Sequence, residues 1–215
     1  MAQLRCPGGL RPGQVGLLVL RRVIAGDIAV SAVDLVQRGF LAAEETSAGW
    51  TIRPLPVLNS ARVGLLGYER SLLAGLAGEH RAAALPELVP VLGPVLAGVR
   101  AGLIREAVSQ GWVRRWSHRE LSAAGERVAA ELSGFERNLR DLKARDGESA
   151  LATDLLPYAL RYQLVSREHL PLARFTAAWA AAFADLPGWR PAAPERPEPA
   201  DRGMYSPPIA QGPFL

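Results

Sequence analysis

Three histidines, His80, His118 and His169, are the first residues that could ligate a metal or carry a proton. None has a second ligand or a carboxylate at the three- or four-residue spacing that puts two donors on one helix face. Each reads as a surface histidine. Cys6 is the lone cysteine. It excludes an intramolecular disulfide and a zinc site built from thiolates, and it fits a reducing cytoplasm. No serine or cysteine stands in a nucleophile-elbow pattern. Pro7-Gly8-Gly9 lacks the Gly-Lys-Ser/Thr ending of a phosphate loop. Glu44 with Glu45, and Glu148 with Asp154, pair carboxylates only in a hairpin and a loop, which assigns them no acid–base role. The expectation is a chain that is not an enzyme, with no cofactor and no metal.

The remaining chemistry is recognition. Asp27, Ser31, Asp34 and Arg38 recur at helical steps and read as the outward face of a helix. In a DNA-reading protein that face would meet phosphates, and two carboxylates oppose this. A basic peptide or partner suits them better. Trp50, Ile52 and Arg53 lie on a following strand whose edge could accept an extended peptide by backbone hydrogen bonds. Arg100, Arg105, Arg114 and Arg115 form the best basic cluster for nucleic acid, with Trp112 and Trp116 beside them. Near the end, Tyr205, Ile209, Phe214 and Leu215 are apolar anchors in a proline-rich frame, the pattern of a peptide bound in a groove.

The elements that must position these residues follow from periodicity. Residues 12–23 form a helix with Pro12 in its first turn. The next helix opens at Asp27 as N-cap and buries Ile28, Ala32, Leu35 and Val36, and Gly39 stops it. Residues 40–45 and 50–53 then pair as a hairpin, ended by Pro54 and Pro56. The plan repeats: a helix from Tyr68 to Leu76, a short piece at 85–89, and a longer helix over 94–110 stopped by Gly111. Gln37-Arg38-Gly39-Phe40-Leu41 parallels Ser109-Gln110-Gly111-Trp112-Val113. No second strand is expected after Trp116. Instead Ser117 and Glu120 match a capping box, predicting a helix from Ser117 to about Arg145 with Phe135, Leu139 and Leu142 inward. Two more helices cover 155–165 and 170–186, the latter burying Leu172, Phe175, Trp179 and Phe183.

These elements give a mainly α (α+β) fold: a winged-helix-like unit over 1–62, a second over 63–116, a helical C-terminal domain over 117–190 and a proline-rich disordered tail over 191–215. The formal charge is +4, and residues 1–116 hold 13 arginines against 8 acidic residues. That mild excess permits nucleic acid or acidic lipid without requiring either. The longest apolar stretch, 82–104, is interrupted by Glu87, Pro90, Pro94 and Arg100, so no transmembrane segment is expected.

Three stretches in this order resemble the cytoplasmic part of the YciQ-type bacterial membrane proteins, a family of unknown function. They are residues 10–18 with 32–41; Tyr68-Glu69-Arg70-Ser71-Leu72-Leu73; and Gly134-Phe135-Glu136-Arg137-Asn138-Leu139 with Leu156-Pro157-Tyr158-Ala159 and residues 179–183. The family pattern includes membrane helices that this sequence lacks, so the resemblance implies a stand-alone derivative, and it implies no catalytic residues. The functional expectation is a non-catalytic protein- or peptide-binding module, an accessory or partner subunit. The alternative is a winged-helix DNA-binding regulator, and the minor alternative a membrane-peripheral adaptor.

Overall fold

The computed structural model describes residues 4–47, 49–56, 64–76, 83–114, 117–166 and 170–183, with the side chains of 117–119 outside the description. The chain is mainly helical with small antiparallel sheets, as expected. Its helices are α1 (Pro12–Leu20), α2 (Ala25–Gln37), α3 (Gly67–Leu76), α4 (Leu85–Ser109), α5 (Ala123–Asp146), α6 (Leu156–Arg161) and α7 (Pro171–Ala182). Its strands are β1 (Leu41–Thr46), β2 (Gly49–Pro54), β3 (Ala83–Ala84), β4 (Val113–Arg114) and β5 (Ser117–Leu121). The tail motif at Tyr205, Ile209, Phe214 and Leu215, together with Trp189, His80, His169 and Arg115, lies outside the described residues.

One device opens four of the helices. The third helical residue turns its side chain back to accept the N-cap backbone N–H: Gln14 from Arg11 (2.8 Å), Asp27 from Ile24 (2.8 Å), Glu69 from Leu66 (2.8 Å) and Glu87 from Ala84 (3.2 Å). Each satisfies a donor that a helix start leaves orphaned. Asp27 therefore caps α2 from inside the helix rather than preceding it, and α2 starts two residues earlier than the sequence suggested.

A second device closes α2 and α4. Gly39 and Gly111 take left-handed backbone (φ 75° and 69°), which glycine adopts without a Cβ penalty. Behind each, the residue after the glycine donates to a carbonyl five residues back: Phe40 to Leu35 (2.9 Å) and Trp112 to Ala107 (2.9 Å). The same two residues then close a hairpin, because the Phe40 carbonyl accepts from Leu55 (2.9 Å) and the Trp112 carbonyl from Ser122 (2.9 Å). The repeat read in the sequence thus extends further than expected. A second wing exists: β4 pairs antiparallel with β5. Residues 117–121 are strand, and α5 begins at Ala123 with Ser122 as its N-cap, whose Oγ accepts from Gly125 N–H (3.1 Å) and donates to the Gly111 carbonyl (2.5 Å). The Ser117–Glu120 capping box is a coincidence of residue types.

α4 runs unbroken through Pro90 and Pro94, where the sequence suggested two pieces. Both prolines face outward, so the carbonyls that lose a helical donor are open to water and the interruption costs less than in a core.

In the first sheet the order is β1-β2-β3, all antiparallel, with Ala43 opposite Ile52 and Ile52 opposite Ala83. The C-terminal helices do not stand apart from the first unit. α5, α6 and α7 pack on α1 and α2, and one hydrophobic cluster includes Leu35 and Trp50 with Leu103, Leu139 and Phe175. α2 lies at the centre of this assembly, with α1, α6, α7 and β1 around it.

Candidate functional site

The face of α2 expected to meet a partner is inside the protein. Asp27 and Ser31 are 0% and 2% exposed, and Asp34 8%. The Asp27 carboxylate meets Arg161 Nε of α6 at 2.7 Å, with Gly16 of α1 so close that any side chain there would overlap it. Burial pushes the Asp27 carboxyl up to about 6, against the pull of Arg161 and the Ile24 N–H. Ser31 Oγ donates to the Asp27 carbonyl one turn back (2.7 Å).

Arg38 ends the ladder and ties the two units together. Its Nη1 donates to Asp34 Oδ2 and to Glu69 Oε1, both at 2.7 Å, and its guanidinium lies 5.1 Å from the Phe40 ring centre. Glu69, the cap of α3, is 1% exposed and accepts from Leu66 N–H with its other oxygen. This is a largely buried pairing network whose charges satisfy one another, with Arg38 and Asp34 reaching the wall of a neighbouring cleft.

The strand residues behave likewise. Trp50 and Ile52 are core, Trp50 meeting Phe175 of α7 edge-to-face at 5.3 Å. β2 is the middle strand, and β3 occupies the expected edge at Thr51 and Ile52. Arg53 is exposed, 3.9 Å from Glu44 across the hairpin.

Arg100 and Arg105, two of the arginines expected to contact phosphate, do not share a face. Arg100 and Arg105 are five residues apart on α4, which places them roughly 140° apart around its axis. Arg114, on β4, is exposed and lies 3.5 Å from Glu120 of β5.

A cleft of about 510 Å³ opens beside the Arg38 network, lined by Cys6, Arg11, Asp34, Gln37, Asp154 and Tyr158 among others. Two hydrogen bonds tie its walls together. Tyr158 Oη donates to the Leu10 carbonyl (2.7 Å) and Gln37 Nε2 to the Thr153 carbonyl (2.7 Å). Burial pushes the Cys6 thiol up to about 12, which disfavours its thiolate form. Among the described residues no group of histidine, cysteine and carboxylate side chains could hold a metal ion.

What the sequence reading missed is the outward face of α4. The inward face carries Leu88, Leu92, Leu96, Val99, Leu103 and Ala107, all buried. The opposite face, from Glu87 to Arg105, carries Pro90, Val91, Pro94, Ala97 and Gly98, all exposed, and Ala101, half-buried. Val91 is 59% exposed, the most exposed large apolar side chain among the described residues. No charged residue occurs between Glu87 and Arg100. By length and composition α4 is the one described helix that could cross a membrane, although its leucine face is used in the core. A helical wheel drawn over 85–109 would have shown the face; reading Pro90 and Pro94 as breaks hid it.

No family model matches the chain, and no curated protein and no solved structure matches it either.

Proposed function

We propose that this chain is a non-catalytic protein-binding module that works through the outward face of α4. The observation that carries this reading is that exposed, charge-free face, about three helical turns long from Pro90 to Ala101, on a helix whose other side is fully committed to the core. Surface helices of water-soluble folds normally carry polar residues on the outer side, and a contiguous apolar patch with a charged rim marks an interaction site. Glu87 and Arg105 supply such a rim at the two ends. The side chains are short and compact, without the Trp, Phe and Leu anchors or the Lys/Arg-rich border of a helix that lies in a lipid surface. That favours a protein partner over a membrane. DNA reading through α2 is disfavoured by the burial of Asp27, Ser31 and Asp34 and by its position beneath α1, α6 and α7.

The test is comparative capture from the native cell with the full chain and with Val91→Glu. Val91 is exposed, so the variant keeps the wild-type circular dichroism and unfolding midpoint. A partner held by the wild type and lost by Val91→Glu supports the reading. Identical capture by both proteins contradicts it.

A further inference from the structure

We infer that the occupant of the α4 face is a second copy of this chain, docked antiparallel about a two-fold axis near the middle of the helix. The inference rests on the reading of α4 as a binding surface and names its partner. The argument is charge register. Glu87 and Arg105 are 18 residues apart, five turns at 3.6 residues each, so both lie on one line along the helix. They are about 27 Å apart along the axis, and the exposed residues between them, from Pro90 to Gly98, are uncharged.

In a two-fold antiparallel pair the same patch meets itself. An axis passing by residue 96 sets Glu87 of each copy against Arg105 of the other, twice, and sets Val91 against Ala101 and Pro94 against Gly98. A parallel pair would set Glu87 against Glu87 and Arg105 against Arg105, and like charges in register oppose it. Arg105 makes no salt bridge among the described residues, and Glu87 uses one carboxylate oxygen to cap α4, leaving the other to a partner. The leucine face stays in the core in both copies, so pairing needs no rearrangement. One helix face per copy is at the small end of specific interfaces, which buries less than ~1,200 Å² in weak, transient pairs. A reversible dimer follows, populated as concentration rises.

The experiment is sedimentation equilibrium on the full-length chain and on two variants, Glu87→Arg and Arg105→Glu, alone and mixed in equal amounts. The wild type shifts from monomer to dimer with concentration. Each variant alone places like charges at both contact points, and its dissociation constant rises roughly tenfold or more at low salt. The mixture restores association, because the Glu87→Arg copy presents two arginines to the two carboxylates of the Arg105→Glu copy. Circular dichroism of each variant checks that α4 is intact; Arg105→Glu, which touches no cap, is the cleaner of the two. A wild type that stays monomeric at every concentration overturns the inference. So does a mixture that associates no better than its components. Either outcome, combined with a partner captured by the wild type and lost by Val91→Glu, would leave α4 as the binding surface for a different protein. Failure of both experiments would remove the surface itself.

Discussion

Asp27 shows how a residue that looks like surface chemistry becomes internal structure. Its spacing with Ser31, Asp34 and Arg38 is that of a solvated helix face, and the sequence could not reveal that Arg161 and Glu69, far along the chain, arrive to pair with it and with Arg38. The burial has a consequence for stability. The Asp27 carboxyl is raised from its ordinary value to about 6 in the folded protein, so the fold binds its proton more tightly than the unfolded chain does. Stability from this group is therefore fully present below about pH 4 and is lost as pH rises through about 6. Urea titrations of wild type and Asp27→Asn should diverge across that window, the wild type losing on the order of 3 kcal/mol relative to the variant. A constant difference at all pH values would contradict the assignment. Removing the attraction of Arg161 lets the carboxyl rise further, so Arg161→Met should move the window upward in pH. Gly16→Ala tests the same joint from the other side: its Cβ would collide with the Asp27 carboxylate, and overpacking of this kind costs about 1–3 kcal/mol in the unfolding free energy.

At the scale of elements, the glycine stops were legible, while the side-chain caps and the short strands were not: Asp27 caps α2 from its third position and Ser122, not Ser117, opens α5. Gly39 and Gly111 were readable as helix stops, because a left-handed residue after an apolar periodic run is a local requirement. The second hairpin escaped because β4 is two residues long and its partner strand holds Ser, His, Arg and Glu, residues with no strand preference. Its formation depends on Trp112, whose carbonyl receives the Ser122 N–H, and on α5 packing behind it. Two serines separate the alternatives. Ser122→Ala should cost about 1 kcal/mol, the usual value of an N-cap, and Ser117→Ala, in a strand, should change the unfolding midpoint little. The reverse ranking in thermal or urea unfolding would restore the helix start expected from the sequence. The continuous α4 was missed because a proline inside a helical pattern is the usual sign of a break, and only a wheel drawn through Pro90 and Pro94 places both opposite the leucine face.

For the whole molecule, the division into a first unit, a second unit and a helical end describes the order of the chain, while the packing joins them. α2 is buried on all sides in part because α7 packs on it, and the fully buried Phe175, Trp179 and Phe183 form an aromatic row that meets Trp50 through Phe175. A chain ending at Ser166 should therefore lose cooperative unfolding and bind hydrophobic dyes, whereas the full chain should unfold in a single transition; a folded, cooperative 1–166 fragment would contradict this packing. With Asp27, Ser31 and Asp34 of α2 and Trp50 and Ile52 of β2 buried, the outward face of α4 is the exposed apolar surface among the described residues on which the proposed recognition rests. Its coverage in the cell is the central claim and can be read with one thiol. Cys6 is the lone native cysteine, so in a Cys6→Ser background a Val91→Cys chain carries a single thiol. Its alkylation rate should be that of an exposed thiol in dilute purified protein and several-fold slower in the native cell, while a Ser109→Cys control at the end of the same helix reacts at like rates in both. Equal rates for Val91→Cys in the two settings would show a face that nothing covers, and would contradict the account.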